Sequence, residues 1–136
     1  MTPYTKPLPT LTDDNRPFWD ACRAGYLSLQ KCQACGHLRY PIARFCPDCL
    51  SDQCAWTPVS GRGTVFSYVV FHTAYHPGFK GELPYNVALV QLEEGPRLYG
   101  NVVDVPNDAV KIGDPVEAVF DPVTPEITLP RFRLRT

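Results

Sequence analysis

Along the second half of the chain, apolar positions recur with the two-residue period of a β-strand and never hold a helical period for long. Five strands are expected there, over residues 64–71, 85–92, 97–103, 116–120 and 127–134. In the first, Phe66, Tyr68 and Val70 alternate with Val65, Val69 and Phe71, so both faces are apolar and the strand reads as central or strongly coiled. Glu93-Glu94-Gly95-Pro96 supplies a tight connection between the second and third strands, and Ile112-Gly113-Asp114-Pro115 opens the fourth. Five short antiparallel strands in about 75 residues fit a small OB-type barrel, with a two-sheet sandwich as the alternative.

The first half is patterned differently. Pro3, Pro7 and Pro9 make the opening residues an extended arm. A helix is expected next, capped by Thr12 or Asp13, carrying Pro17 near its first turn and stopped by Gly25. Its apolar patch of Phe18, Trp19 and Cys22 either covers its own domain or docks on a partner. Leu27-Ser28-Leu29-Gln30 alternates as a short strand, residues 55–59 are extended again, and Gly61-Arg62-Gly63 reads as a flexible joint. The expected division is an arm and helix over 1–26, a metal-binding ribbon over 27–56 and an OB-fold domain over 57–136.

That ribbon rests on Cys32-x2-Cys35-x10-Cys46-x2-Cys49. Two CxxC knuckles present paired thiolates that complete a tetrahedron, and four sulfur ligands leave no open position, so the expected ion is structural zinc. A rubredoxin-like iron centre, a redox CxxC or two disulfides are the rivals. Gly36 lets the first knuckle turn and Pro47 stiffens the second. His37 is expected as a surface or hydrogen-bonding residue, and Cys22 and Cys54, off the knuckle spacing, as small apolar groups without chemistry.

Charge and composition narrow the function. Lys and Arg number 13 against 14 Asp and Glu, a formal charge of -1, so nothing overall draws the chain to a polyanion or an anionic membrane. Fifteen prolines against nine glycines favour constrained turns over long helices. No apolar run approaches the roughly 18–20 residues of a membrane helix, and the opening residues lack the pattern of a secretion signal, so a cytoplasmic protein with reduced thiols is expected.

Among loops, residues 71–85 are long and rich in aromatic and histidine side chains, as binding loops often are. Phe71, His72, Phe79, Lys80 and Tyr85 are the candidate ligand-binding residues, and Phe66 and Tyr99 could line the barrel mouth. His72 and His76 stand four apart, but Pro77-Gly78 opposes a helix and no third metal ligand is evident. No motif of nucleophilic, phosphate-binding or zinc-hydrolase type occurs, so catalytic residues are expected on another chain. Arg131, Arg133 and Arg135 alternate onto one side of the last strand, suiting a phosphate, an acidic partner or a solvated edge.

The order of parts, with CQACGHLRYPIARFCPDC, SGRGTVFSYVVFH, LPYNVALVQLEEGPRLYGNVVD and IGDPVEAVFD, resembles the zinc-ribbon plus OB-fold family long filed as domain of unknown function thirty-five. That resemblance implies a non-catalytic accessory subunit of a thiolase-like enzyme, or a hydratase-linked one, that helps hold an acyl-CoA substrate during acyl transfer, condensation or retro-aldol cleavage. The alternative is a nucleic-acid binder, by analogy with other OB-folds and zinc ribbons. Residues 1–25 and a ribbon face of Leu38, Tyr40, Ile42 and Phe45 are the expected docking surface.

Overall fold

The computed structural model describes residues 6–135. Its one α-helix, α1 (Arg16–Ala24), starts later than the Thr12 or Asp13 cap would place it. Asn15 holds the cap position because Thr12 and Asn15 first close a turn on each other: the Thr12 amide donates to Asn15 Oδ1 at 2.8 Å, and the Asn15 amide to Thr12 Oγ1 at 3.2 Å. Pro17 then falls in the first turn, where a missing N–H costs nothing. Gly25, at φ 96°, ends the helix as expected, its amide and that of Tyr26 satisfying the Cys22 and Ala21 carbonyls. The expected arm lies partly in residues 1–5, outside the described region.

Two antiparallel sheets follow. Strands β1 (Leu27–Cys32), β2 (Leu38–Arg39) and β3 (Cys54–Val59) pair in the order β2-β1-β3. Strands β4 (Arg62–Phe71), β5 (Tyr85–Leu92), β6 (Arg97–Gly100), β7 (Pro115–Pro122) and β8 (Thr128–Leu134) pair as β6-β5-β4-β7-β8, so β4 is central. A short 3₁₀ helix, Pro77–Glu82, lies in the β4–β5 connection. The sheet curls because β4 carries a bulge between Val65 and Ser67 and because the chain after β6 crosses to β8, where Val102 bridges Phe132 in parallel. This is the expected OB-type barrel, partly open. β6 stops at Gly100 rather than at residue 103, since a Cβ on Gly100 would meet the Phe132 ring at 2.8 Å and the next residues bond to β8.

A single apolar cluster runs through both sheets. Phe18 and Cys22 of α1, Leu27 and Leu29 of β1, Val65, Val90, Leu98 and Val116 of the larger sheet, and a fully buried Phe132 all belong to it. Burying each such Leu, Val or Phe side chain contributes about 1.5–3 kcal/mol. α1 packs on β1, β7 and β8, so its apolar face covers its own chain. Leu38, Tyr40 and Ile42, expected as an open docking face, are half-buried against the same cluster; Phe45 stays exposed.

The glycines read as a flexible joint are held tightly. Arg62 and Gly63 belong to β4, and a Cβ on buried Gly63 would fall within contact distance of the Gln91 carbonyl oxygen and 2.9 Å from Val90 Cγ1. Gly61 alone uses its freedom, at φ 76°. Among the described residues no helix is long and apolar enough to cross a membrane.

Candidate functional site

β1 delivers Cys32 at its last residue, and the strand's continuation folds back on itself. The Gly36 amide donates to the Cys32 carbonyl at 2.9 Å and the Leu50 amide to the Cys46 carbonyl at 2.8 Å, closing two matching knuckles. In each, the residue after the second cysteine turns left-handed: Gly36 at φ 81° and Leu50 at φ 65°. The four sulfurs lie within 4.8 Å of one another, with Cys32 and Cys49 at 3.5 Å and Cys35 and Cys46 at 3.6 Å. A tetrahedral zinc ion with bonds of about 2.3 Å sets sulfurs about 3.8 Å apart, so the donor set fits that ion. His37 is not a ligand; its Nδ1 sits 2.9 Å from Asp48 Oδ2, tying one knuckle to the other.

The thiols divide as a shared-proton cluster should. The backbone amide of Cys35, then that of Ala34 and the neighbouring thiols, hold Cys32 down to about 6 against the opposing effect of burial. Cys35 is pulled down most by the amide of His37, yet the thiols of Cys46, Cys49 and Cys32 and burial together push it up to about 12. Zinc would displace all the remaining protons and hold four thiolates. Cys22 is remote from this cluster; burial pushes its thiol up to about 12.

Behind the ribbon, Arg39 donates from Nε to Gln30 Oε1 at 3.1 Å and from Nη2 to the Ala43 carbonyl at 2.9 Å, while the Ala43 amide donates to the same Gln30 oxygen at 2.9 Å. Arg39 is buried, and its Nη1 has no hydrogen-bond partner. The guanidinium thus props the loop between the knuckles with carbonyl oxygens in place of a carboxylate. A cleft of about 900 Å³ opens beside it, walled by Trp19, Tyr40, Phe45 and Trp56.

Of the five candidate residues in the 71–85 loop, the structure brings three together. Tyr85 stacks on Phe71 at 5.1 Å and on Phe79 at 4.8 Å between ring centroids, both nearly parallel. The 3₁₀ helix aims Phe79 inward, anchored at its start by the Gly78 amide donating to His76 Nδ1 at 2.9 Å. His72 and Lys80 are exposed and outside the stack. The cation over Phe79 is instead Lys6, 5.6 Å from the ring centroid and 2.7 Å from Glu82 Oε1. Phe66 and Tyr99, expected at the barrel mouth, point outward from the sheet.

Tyr85 and Lys6 also edge a cleft of about 550 Å³ whose floor is polar. There Asn86 Nδ2 donates to the Val102 carbonyl and to Asn107 Oδ1, both at 2.9 Å, and the Val102 amide donates to Asn86 Oδ1 at 2.7 Å. Asn101 and Asn107 escaped the sequence reading; the only hint was asparagine at strand ends beside a long loop. Arg131 joins this floor through Asn101 Oδ1 at 2.6 Å and Asp121 Oδ2 at 2.8 Å. Arg133 pairs with Glu117 at 2.8 Å, and Arg135 lies 3.7 Å from Glu93. The arginine side of β8 is therefore neutralised by acids of the same sheet, which removes the basic track that phosphate-driven strand binding requires.

Comparison with known proteins agrees with this geometry. Residues 19–54 match the family model for the ChsH2 rubredoxin-like zinc ribbon domain, and residues 56–121 the model for the ChsH2 C-terminal OB-fold domain. A DUF35 domain-containing scaffold protein of Methanothermobacter thermautotrophicus is 40% identical over 74% of this chain and 75% of its own length. A probable enoyl-CoA hydratase alpha subunit of Thermomonospora curvata is 41% identical over 94% of this chain, which spans only 40% of that protein. Among solved structures, a chain of the Ltp2-ChsH2(DUF35) aldolase superposes with TM-score 0.84 at 40% identity, covering 93% of this chain and 98% of that one.

Proposed function

The chain belongs to the ChsH2/DUF35 family of zinc-ribbon and OB-fold proteins, and on that premise we propose that it is an accessory, scaffold-type subunit of an enzyme complex acting on acyl-CoA in the cytoplasm. Its partner is a thiolase-like chain, or a hydratase-type chain of the kind joined to this module in longer relatives. The observation that carries this is the near-complete superposition on the ChsH2 chain of an aldolase whose other component is Ltp2. The closed thiolate centre supports it, because such a centre organises a surface and binds no substrate.

The loop supplies the contact with substrate. With Tyr85 held between them, Phe71 and Phe79 offer the outer ring faces of the stack for an adenine ring, Lys80 follows Phe79 in the chain as the cation for a phosphate, and His72 follows Phe71 at the rim. One stacked base is worth about 1–3 kcal/mol, so Phe79→Ala should weaken binding of acetyl-CoA about tenfold in titration calorimetry. Mixing with the Ltp2 chain should give a stoichiometric complex by gel filtration. Two separate peaks at micromolar concentration would overturn the subunit reading; unchanged acetyl-CoA binding in the Phe79 variant would overturn only the role of the loop.

A further inference from the structure

The bulge in β4 changes which residues face out. Val65 is buried, yet both Phe66 and Ser67 follow it to the outer side, after which Val69 and Phe71 keep that side. Leu89 and Val87 of β5 stand across from Ser67 and Val69, and Tyr99 of β6 stands across from Leu89. The outer face of three adjacent strands is therefore apolar over these positions, bordered by the polar row of Thr64, Gln91 and Arg97. Phe66 is 46% exposed, Val69 52%, Tyr99 71%, and Tyr75, edge-on to Phe71 at 6.1 Å, 80%.

Aromatic side chains carry about 150–250 Å² each, so the three open rings alone leave roughly 400 Å² of apolar surface in water. That is the size of the largest apolar patch on an ordinary monomer, which is often functional, and it forms half of the roughly 800 Å² one partner contributes to a stable complex. Charge on it is sparse: Arg97 lies flat on Phe66, 3.8 Å from the ring centroid, and donates to Gln91 Oε1 at 2.7 Å. The face also runs without a break into the Phe71–Tyr85–Phe79 stack.

We propose that this outer sheet face, centred on Val69, Phe66 and Tyr99, is where the thiolase-like partner docks, presenting an apolar patch with a carboxylate opposite Arg97. The inference rests on the subunit reading above and replaces the ribbon face as the principal contact. Its logic is positional. A substrate held by two chains lies at their junction, and the apolar surface contiguous with the ring stack is the one the enzyme must cover. A nucleic-acid strand would need cations here, and Arg97 already lies on Phe66.

The experiment uses the zinc-loaded full chain and the Ltp2 chain as probe, with affinity read by biolayer interferometry. Val69→Arg and Tyr99→Arg change exposed side chains, and zinc content with far-ultraviolet circular dichroism checks that each variant folds. Leu50→Arg, on the ribbon and 74% exposed, is the comparison. Losses of about 30-fold or more for Val69→Arg and Tyr99→Arg, with Leu50→Arg within about threefold, are expected. The reverse pattern overturns the docking face while leaving the subunit reading intact; no binding by the unaltered chain overturns both. Sedimentation showing that the chain self-associates through Tyr99, or oligothymidine binding that Tyr99→Arg abolishes, would assign the face to a second copy or to nucleic acid and overturn the proposal.

Discussion

Replacing Gly63 with alanine separates a hinge from a close contact. A flexible joint would tolerate the methyl group, or gain about 0.4–1 kcal/mol as the unfolded chain loses freedom. In the structure the new Cβ would press on the Gln91 carbonyl oxygen, 2.9 Å from Val90 Cγ1 and 3.0 Å from the Gln91 carbonyl carbon. Val90 is fully buried, so neither neighbour can swing aside. Relief requires β5 to retreat from β4 where Gly63 faces Leu92 and Thr64 faces Gln91. One or two ladder hydrogen bonds at about 0.5–1.5 kcal/mol each, plus about 1–3 kcal/mol of overpacking, give a net loss of about 2–4 kcal/mol after the entropy gain. Urea unfolding with excess zinc measures this directly, and a domain this size should lose roughly 8–15 °C in Tm. Gly81→Ala, where nothing lies within 4 Å, is the matched control and should sit within about 1 kcal/mol of the parent chain. If Gly63→Ala also stays within about 0.5 kcal/mol, the packing argument fails.

Other consequences are as specific. Leu50→Gly should stabilise the ribbon by about 0.5–1 kcal/mol in zinc-competition or thermal assays, since a left-handed leucine carries about 1–2 kcal/mol of strain that glycine avoids, less glycine's greater unfolded freedom; a loss would contradict this. Asn86→Asp should cost about 1–3 kcal/mol in urea unfolding at pH 7, because no donor remains for the buried Val102 carbonyl. The Cys22 thiol, pushed up to about 12, holds its proton more tightly folded than unfolded, so its contribution is complete below pH 9 and declines as pH rises from 9 toward 12. Urea midpoints at pH 8 and pH 10.5 should therefore fall less in Cys22→Ala than in the parent chain; equal slopes would refute the assignment. Chelating the zinc should lower the melting temperature in calorimetry while leaving one transition, since the ribbon strand β1 shares its core with the barrel; an unchanged second peak at the original temperature would show the two parts to be independent.

The residues that could be read from sequence are those whose meaning is local. Four cysteines at fixed spacing announce their geometry because the metal, not the fold, dictates it, and the alternation in β5 survives because that strand keeps one face to the core along its whole length. What escaped depended on partners distant in sequence. Arg133 looked free until β8 was set beside β7 and Glu117 came opposite, and Lys6 met Phe79 only after the loop folded over. Phe66 was offered for the barrel mouth on residue type alone, and the bulge in β4 leaves it on the outer side. The helix start was displaced by a Thr12–Asn15 turn that competes locally with the cap. Of the candidate loop, aromatic character told which side chains would cluster, but not that His72 and Lys80 would stand apart.

The seating of α1 bears on how such chains can be recombined. Phe18 and Cys22 lie in one cluster with β1 residues on one side and Phe132 of β8 on the other, so the first and last described elements of the chain are packed together. A graft that exchanged only the ribbon between relatives would cut through that seam and leave a mismatched core. The unit that can be transplanted intact is the helix, ribbon and barrel as one cassette, which accounts physically for its appearance both as a small protein on its own scale and as about two-fifths of a longer one.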